Sequence, residues 1–242
     1  MPIAQLFHTC LVNEFFPHVG MAVVRVLEHL QYEVDVPLDQ TCCGQPAFNA
    51  GFHDEARAAA RHTIEVLDVT TGPIVIPSGS CGDMVVHQYP LLFTGDAGWQ
   101  LRARRVAERC MEFSRFVAQH AASLPAGEIR STVAYHPSCH LARGLGIDRE
   151  PRALIDAVTG ARCVQLPADD DCCGFGGLFS IKHSDISTRM LERKLANITA
   201  AGAERLVSCD MGCLLQIGGG LHRRGATTRV QHLAELIAEA LP

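Results

Sequence analysis

The stretches TCCGQPAFNAGF (41–52) and DCCGFGGLFSIK (171–182) each set two adjacent cysteines before a glycine. Such a triplet is uncommon once, and its return half a chain later points to an internal duplication. Other cysteines follow the same shift. Cys10 and Cys139 lie 129 positions apart, Cys42 and Cys172 lie 130 apart, and Cys81 and Cys213 lie 132 apart. Eight of the eleven cysteines thus form two sets: Cys10, Cys42, Cys43 and Cys81, then Cys139, Cys172, Cys173 and Cys213.

The flanking sequence repeats too. QLFHTC (5–10) and TVAYHPSC (132–139) read as short strands running into a cysteine loop. VGMAVVRVLEHL (19–30) and EPRALIDAV (150–158) carry the three-to-four spacing of amphipathic helices. YEVDVPL (32–38) and RCVQLP (162–167) read as strands that deliver the Cys-Cys-Gly loops, and helices over 53–67 and 184–201 follow, with Ser184 the expected N-cap. PIVIP (73–77) and RLVS (205–208) read as further strands, ending in SGSC (78–81) and DMGC (210–213).

This alternation predicts an α/β fold of two pseudo-symmetric repeats, 1–124 and 125–242. Each repeat is a small, mostly parallel sheet with flanking helices and with cysteine loops at the strand carboxyl ends, the edge where open α/β sheets bind ligands. A long helix over 101–122 and the loop 123–130 mark the boundary, and HLAELIAEAL (232–241) closes the chain as an amphipathic helix.

Composition narrows the function classes. Apolar residues make up 48% and the formal charge is −5, without a long basic run, which argues against nucleic acid as a partner. No apolar stretch approaches the roughly 18 residues of a membrane span, and the first residues do not read as a signal peptide. The expected address is the cytoplasm, where thiols stay reduced and clustered cysteines bind metal or do redox chemistry.

Four converging thiols per half suit an iron–sulfur cluster or a structural zinc ion, with a free-thiol role as the remaining alternative. Neither matched set contains the short Cys-x2-Cys chelate usual for zinc, and adjacent cysteines reach different irons more readily than one tetrahedral ion. Gly44, Gly174, Gly176 and Gly177 let the backbone turn tightly there and offer N–H groups to a cluster. Cys110 and Cys163 read as small buried hydrophobes, whereas Cys209, four positions before Cys213, is an optional extra ligand.

Together, TCCGQPAFNAGF, PSGSC (77–81), YHPSCHLARGLG (135–146), DCCGFGGLFSIK and GCLLQIGG (212–219) resemble the cysteine-rich (CCG) domain family, its lactate utilization members in particular. The resemblance implies an iron–sulfur subunit, with one or two clusters of 4Fe-4S type, in a cytoplasmic complex that oxidises L-lactate to pyruvate. Two other subunits of that lactate utilization complex are the implied partners. Related family members serve glycolate oxidase and heterodisulfide reductase. The latter ends its motif in Cys-x2-Cys and uses five cysteines for a non-cubane cluster. Here Ser78 and Asp210 stand at the extra position, which favours ordinary electron-transfer clusters over disulfide chemistry.

Beside Cys139, His136 and His140 are the candidate proton acceptors or substrate contacts, and Arg143 the candidate partner for a substrate carboxylate. The commoner reading makes both histidines local hydrogen-bonding groups and Arg143 a surface residue. The run Asp169–Asp171 would disfavour added negative charge on a nearby cluster, though such runs are more often solvated turns. The basic stretch Arg102, Arg104, Arg105 and Arg109 reads as a solvated helix face or a docking surface. Neither a GxGxxG fingerprint nor a Walker-type phosphate loop occurs, so no site for the first two-electron step is evident.

Overall fold

The computed structural model describes residues 1–124, 129–159 and 162–242. The first half builds a sheet from β1 (Ile3–Leu6), β2 (Glu33–Asp35), β3 (Ile74–Ile76) and β4 (Cys110–Glu112) in the order β2-β1-β3-β4. The second builds one from β5 (Thr132–Tyr135), β6 (Arg162–Val164), β7 (Arg205–Ser208) and β8 (Arg229–His232) in the order β6-β5-β7-β8. Every neighbouring pair is parallel. The duplication extends to hydrogen bonds: Phe7 N donates to Val75 O at 3.0 Å, and His136 N donates to Val207 O at 2.8 Å.

Parallel strands need long crossovers, and helices supply them. In the Pro17–His29 helix, Pro17 opens the first turn, where its missing N–H costs nothing, and Val19, Ala22, Val23, Val26 and Leu27 form the buried face. The His53–Asp68 and Ser184–Ala201 helices follow the two Cys-Cys-Gly loops.

Three sequence expectations change. The helix expected over 101–122 is two helices, Ala97–Arg109 and Phe113–Ala118, with β4 between them. Residues 110–112 pair with β3, and the ladder overrides the helical pattern on either side. Similarly, β8 precedes the closing Leu233–Ala240 helix. Ser184 is the first helical residue rather than the N-cap: its hydroxyl bonds to Asp185, and no side chain caps that end. The expected boundary at 124/125 meets residues 125–128, outside those described.

The halves share one core. Ala4, Val23, Leu27, Phe116, Val133, Val207 and Leu236 belong to one buried cluster, drawn from both sheets and from the helices packed between them. Each large side chain buried there contributes roughly 1.5–3 kcal/mol relative to exposure. Rotating one half against the other would expose this surface, so the repeats pack as one unit.

Glu112 ends β4 inside this packing at 3% exposure. Its carboxylate caps the Phe113–Ala118 helix, accepting from Ser114 N at 2.8 Å. Burial outweighs the cap and raises its pKa from 4.5 to about 7. Because the folded value lies above the unfolded one, its stabilising contribution is complete below pH ~4.5 and is lost as pH rises through about 7. Buried His136 and His232, lowered to about 3 and about 4, act oppositely, losing stability as pH falls below 6.5. The difference between Glu112→Gln and the parent in urea unfolding of the reduced chain isolates the Glu112 contribution. The variant should gain on the order of 3 kcal/mol relative to the parent between pH 4 and 8; parallel curves would refute the assignment.

Candidate metal centre

The strand carboxyl ends carry the cysteines as the repeat requires. Cys10 and Cys139 follow β1 and β5, Cys81 lies in the first turn after β3, and Cys213 lies in the first turn after β7. The Cys-Cys-Gly loops come in beside them. Gly44 and Gly174 both sit at φ +84°, a left-handed backbone that glycine adopts without strain. At Gly174 a Cβ would stand 2.7 Å from Ser187 O, so the second loop packs directly on its following helix.

Within each set the sulfurs touch. Cys43 and Cys81 are 3.4 Å apart, and Cys173 and Cys213 are 3.3 Å apart. Cys42 accepts from the thiols of Cys10 and Cys43 and from the Gly44 backbone, which holds its pKa far below the usual thiol range. Cys172 does the same with Cys139, Cys173 and the Gly174 N–H, the last at 3.4 Å. Hydrogen bonding to that thiolate and burial push Cys10, Cys139, Cys43 and Cys173 upward. In each quartet the first cysteine of the adjacent pair is the one its neighbours surround with hydrogen-bond donors. Sharing a charge among thiols is the donor chemistry that a thiophilic metal or cluster requires.

The two quartets face one another. Both line a single cavity of about 160 Å³ between the halves, together with His140, Gln45, Gly176 and Gly177. Asp210 holds the halves together there. It caps the Met211–Arg223 helix by accepting from Gly212 N at 3.0 Å. It also crosses to the other repeat, accepting from Ser80 N at 2.9 Å and from the Ser78 hydroxyl at 3.1 Å. Ser78 in turn caps the Gly79–Asp83 helix by accepting from Cys81 N at 3.2 Å. Ser78 and Asp210, where the Cys-x2-Cys pattern has its first cysteine, are thus paired helix caps between the two thiol sets.

The histidines divide. His140 lines the cavity with Nδ1 on Asp83 at 2.8 Å and Nε2 at 3.2 Å from Gln45, both from the other repeat. The Asp83 hydrogen bond raises the pKa of His140. His136 lies behind the sulfurs, 1% exposed, with its ring within 4.8 Å of Cys173 and Cys213. Arg143 is turned away onto the Asp170 carbonyl, outside the cavity lining. Asp169 and Asp171 are paired with Arg152 and Arg193, each at 2.7 Å, rather than left to solvent. Arg102 and Arg105 pair with Asp68, and Arg109 binds backbone carbonyls, so most of the basic stretch braces its own half.

The remaining thiols stand apart. Cys209 is fully buried in the shared core, beside Tyr135 and Ser114 and away from the cavity. Cys110 in β4 is pushed up to about 12 by burial. Cys163 departs from the buried reading: it is exposed on β6, at the sheet edge. The sequence reading passed over Asp83, Gln45 and Lys194. Lys194 carried a signal, occupying the apolar face of its helix between Leu191 and Leu195.

The cysteine-rich domain family (CCG) matches residues 4–85 and again 133–218. The chain is 42% identical to lactate utilization protein A of an Exiguobacterium species, over 100% of this chain and 99% of that one. It is also 42% identical to lactate utilization protein A 1 of Bacillus anthracis and 41% identical to lactate utilization protein A 2 of Bacillus cereus, over 98% of each chain.

If Asp210 holds the repeats together, Asp210→Ala should cost about 3 kcal/mol, since three donors lose a charged partner. Ser78→Ala should cost about 1 kcal/mol. Urea unfolding of the double variant should show less than the summed loss, because both single changes break the same contact. Strict additivity would mean that the two caps act independently.

Proposed function

This chain belongs to the lactate utilization protein A family and is built from two CCG cysteine-rich domains; from that membership we propose that it is an iron–sulfur electron-transfer subunit of a cytoplasmic complex oxidising L-lactate to pyruvate. The observation that carries the reading is the pair of four-thiol sets opening onto one cavity. Cys10, Cys42, Cys43 and Cys81 would hold one cluster, and Cys139, Cys172, Cys173 and Cys213 the other. When bound, such clusters accept and release electrons singly.

The chain's own groups fit that role. The Gly174 N–H already donates to Cys172, and Gly176 and Gly177 line the cavity. The Asp210–Ser78 contact fixes the spacing between the two sets. Asp83 orients His140 so that Nε2 faces Gln45 at the cavity wall, a place from which it can hold a proton or contact a substrate oxygen. The two other subunits of the complex are the natural source and sink of electrons. No described helix is long and apolar enough to cross a membrane, and all eleven cysteines are free thiols, as the cytoplasm favours.

Anaerobic purification followed by iron and acid-labile sulfide assay tests this. About eight irons with sulfide per chain is the expected result for two four-iron clusters. Cys42→Ser and Cys172→Ser should each remove about half. Zinc without sulfide, in protein never exposed to oxygen, would refute the electron-transfer reading and establish a zinc scaffold instead.

A further inference from the structure

The two thiol sets match in sulfur but not in what stands behind the sulfur. Phe7 and His136 occupy equivalent positions, each the residue after the first strand of its sheet, with its backbone N–H on Val75 or Val207. Phe7 is fully buried in a core cluster with Cys43 and Cys81. His136 is as deeply buried, within 4.8 Å of the Cys173 and Cys213 sulfurs. Neither ring nitrogen meets hydrogen-bond geometry among the described residues, the Asp169 backbone being a weak hydrogen-bonding neighbour that Lys194 already occupies. A buried imidazole N–H without a partner costs roughly 1–3 kcal/mol. An acceptor beside the ring would remove that cost, and the nearest sulfurs belong to the presumed cluster ligands.

A second difference points the same way. Gly44 packs on Ala56 O and Gly174 on Ser187 O, which aligns the following helices at a shift of 131 residues. Lys194 then corresponds to Thr63, where the first half has no charge. Lys194 is 0% exposed, its ammonium donating to Ala168 O at 3.1 Å and Asp169 O at 3.0 Å. Its charge bears on Cys173, Cys213 and His136. The acids facing the second set are largely compensated: Asp169 by Arg152, Asp171 by Arg193. Asp210 stands between both sets and is shared by donors from each half.

We propose that His136 donates its N–H to the sulfur shell of a cluster held by Cys139, Cys172, Cys173 and Cys213, with Lys194 behind it, making the second set the site of higher reduction potential. This rests on the cluster reading above. A hydrogen bond and a buried cation both favour the more negative, reduced state and so raise the potential. Phe7 gives the first set neither. Ligation is not the role of His136, because the first set presents the same four cysteines with phenylalanine at that place. Electrons entering at the first set would therefore settle at the second, which gives the pair a direction.

The test is a potentiometric titration followed by electron paramagnetic resonance, on the anaerobically purified chain, with signals assigned through Cys42→Ser and Cys172→Ser. The signal lost in Cys172→Ser should be the one of higher potential. His136→Phe should lower it so that the reduced-to-oxidised ratio at fixed potential falls about tenfold, ~59 mV for one electron, with iron and sulfide unchanged. His136→Gln, which keeps an N–H, should recover most of the shift, and Lys194→Met should move it in the same direction as His136→Phe. Phe7→His reads the reverse effect in the first set without disturbing the second. Unshifted potentials in His136→Phe and Phe7→His, with full iron, would overturn this inference alone. Loss of half the iron in His136→Phe would also overturn it, making His136 a ligand. Wild-type chain without iron and sulfide would overturn the cluster reading as well.

Discussion

The Asp210 carboxylate is the point on which the arrangement turns. One oxygen caps its own helix through Gly212 N, while the other reaches the Ser78 hydroxyl and Ser80 N of the opposite repeat. At 4% exposure, it has little water to fall back on. Charge-assisted hydrogen bonds in such a setting are stronger than neutral ones and their loss leaves buried donors unpaired. The two cysteine-bearing helix starts are therefore locked to each other as well as to their own sheets. Two separate thiol clusters become two walls of one cavity.

That coupling extends outward on both sides. Asp83 and Gln45 of the first repeat hold His140 of the second, so the cavity wall is assembled from both halves. Behind the site, Leu27 and Leu236 share a core with residues of both sheets. A displacement of one sheet would disturb apolar packing, two helix caps and the His140 contacts together.

Duplication does not make the halves equal. The eight cysteines have kept step, four at matching places in each half. Positions behind them differ, as Phe7 against His136 and Thr63 against Lys194 show. The sulfurs define what the cavity walls can ligate, and the residues behind them set the charge and polarity around those sulfurs.

The sequence alone carried the duplication, the α/β class and the two cysteine quartets, because each is written in local spacing: strands of alternating or continuous apolar residues, helices of three-to-four period, and a shift near 130 between cysteines. It did not reveal β4 or β8. These short edge strands adjoin helices whose periodicity runs through or up to them, and only the ladder to β3 or β7 makes them strands. Cys163 read as buried because it lies inside a strand, yet β6 is an edge and leaves the thiol exposed. The pairing of Ser78 with Asp210, 132 positions apart, the grip of Asp83 on His140 and the packing of His136 against Cys173 and Cys213 are contacts between distant segments. No local pattern encodes them, and they exist only once the two sheets have packed through a common core.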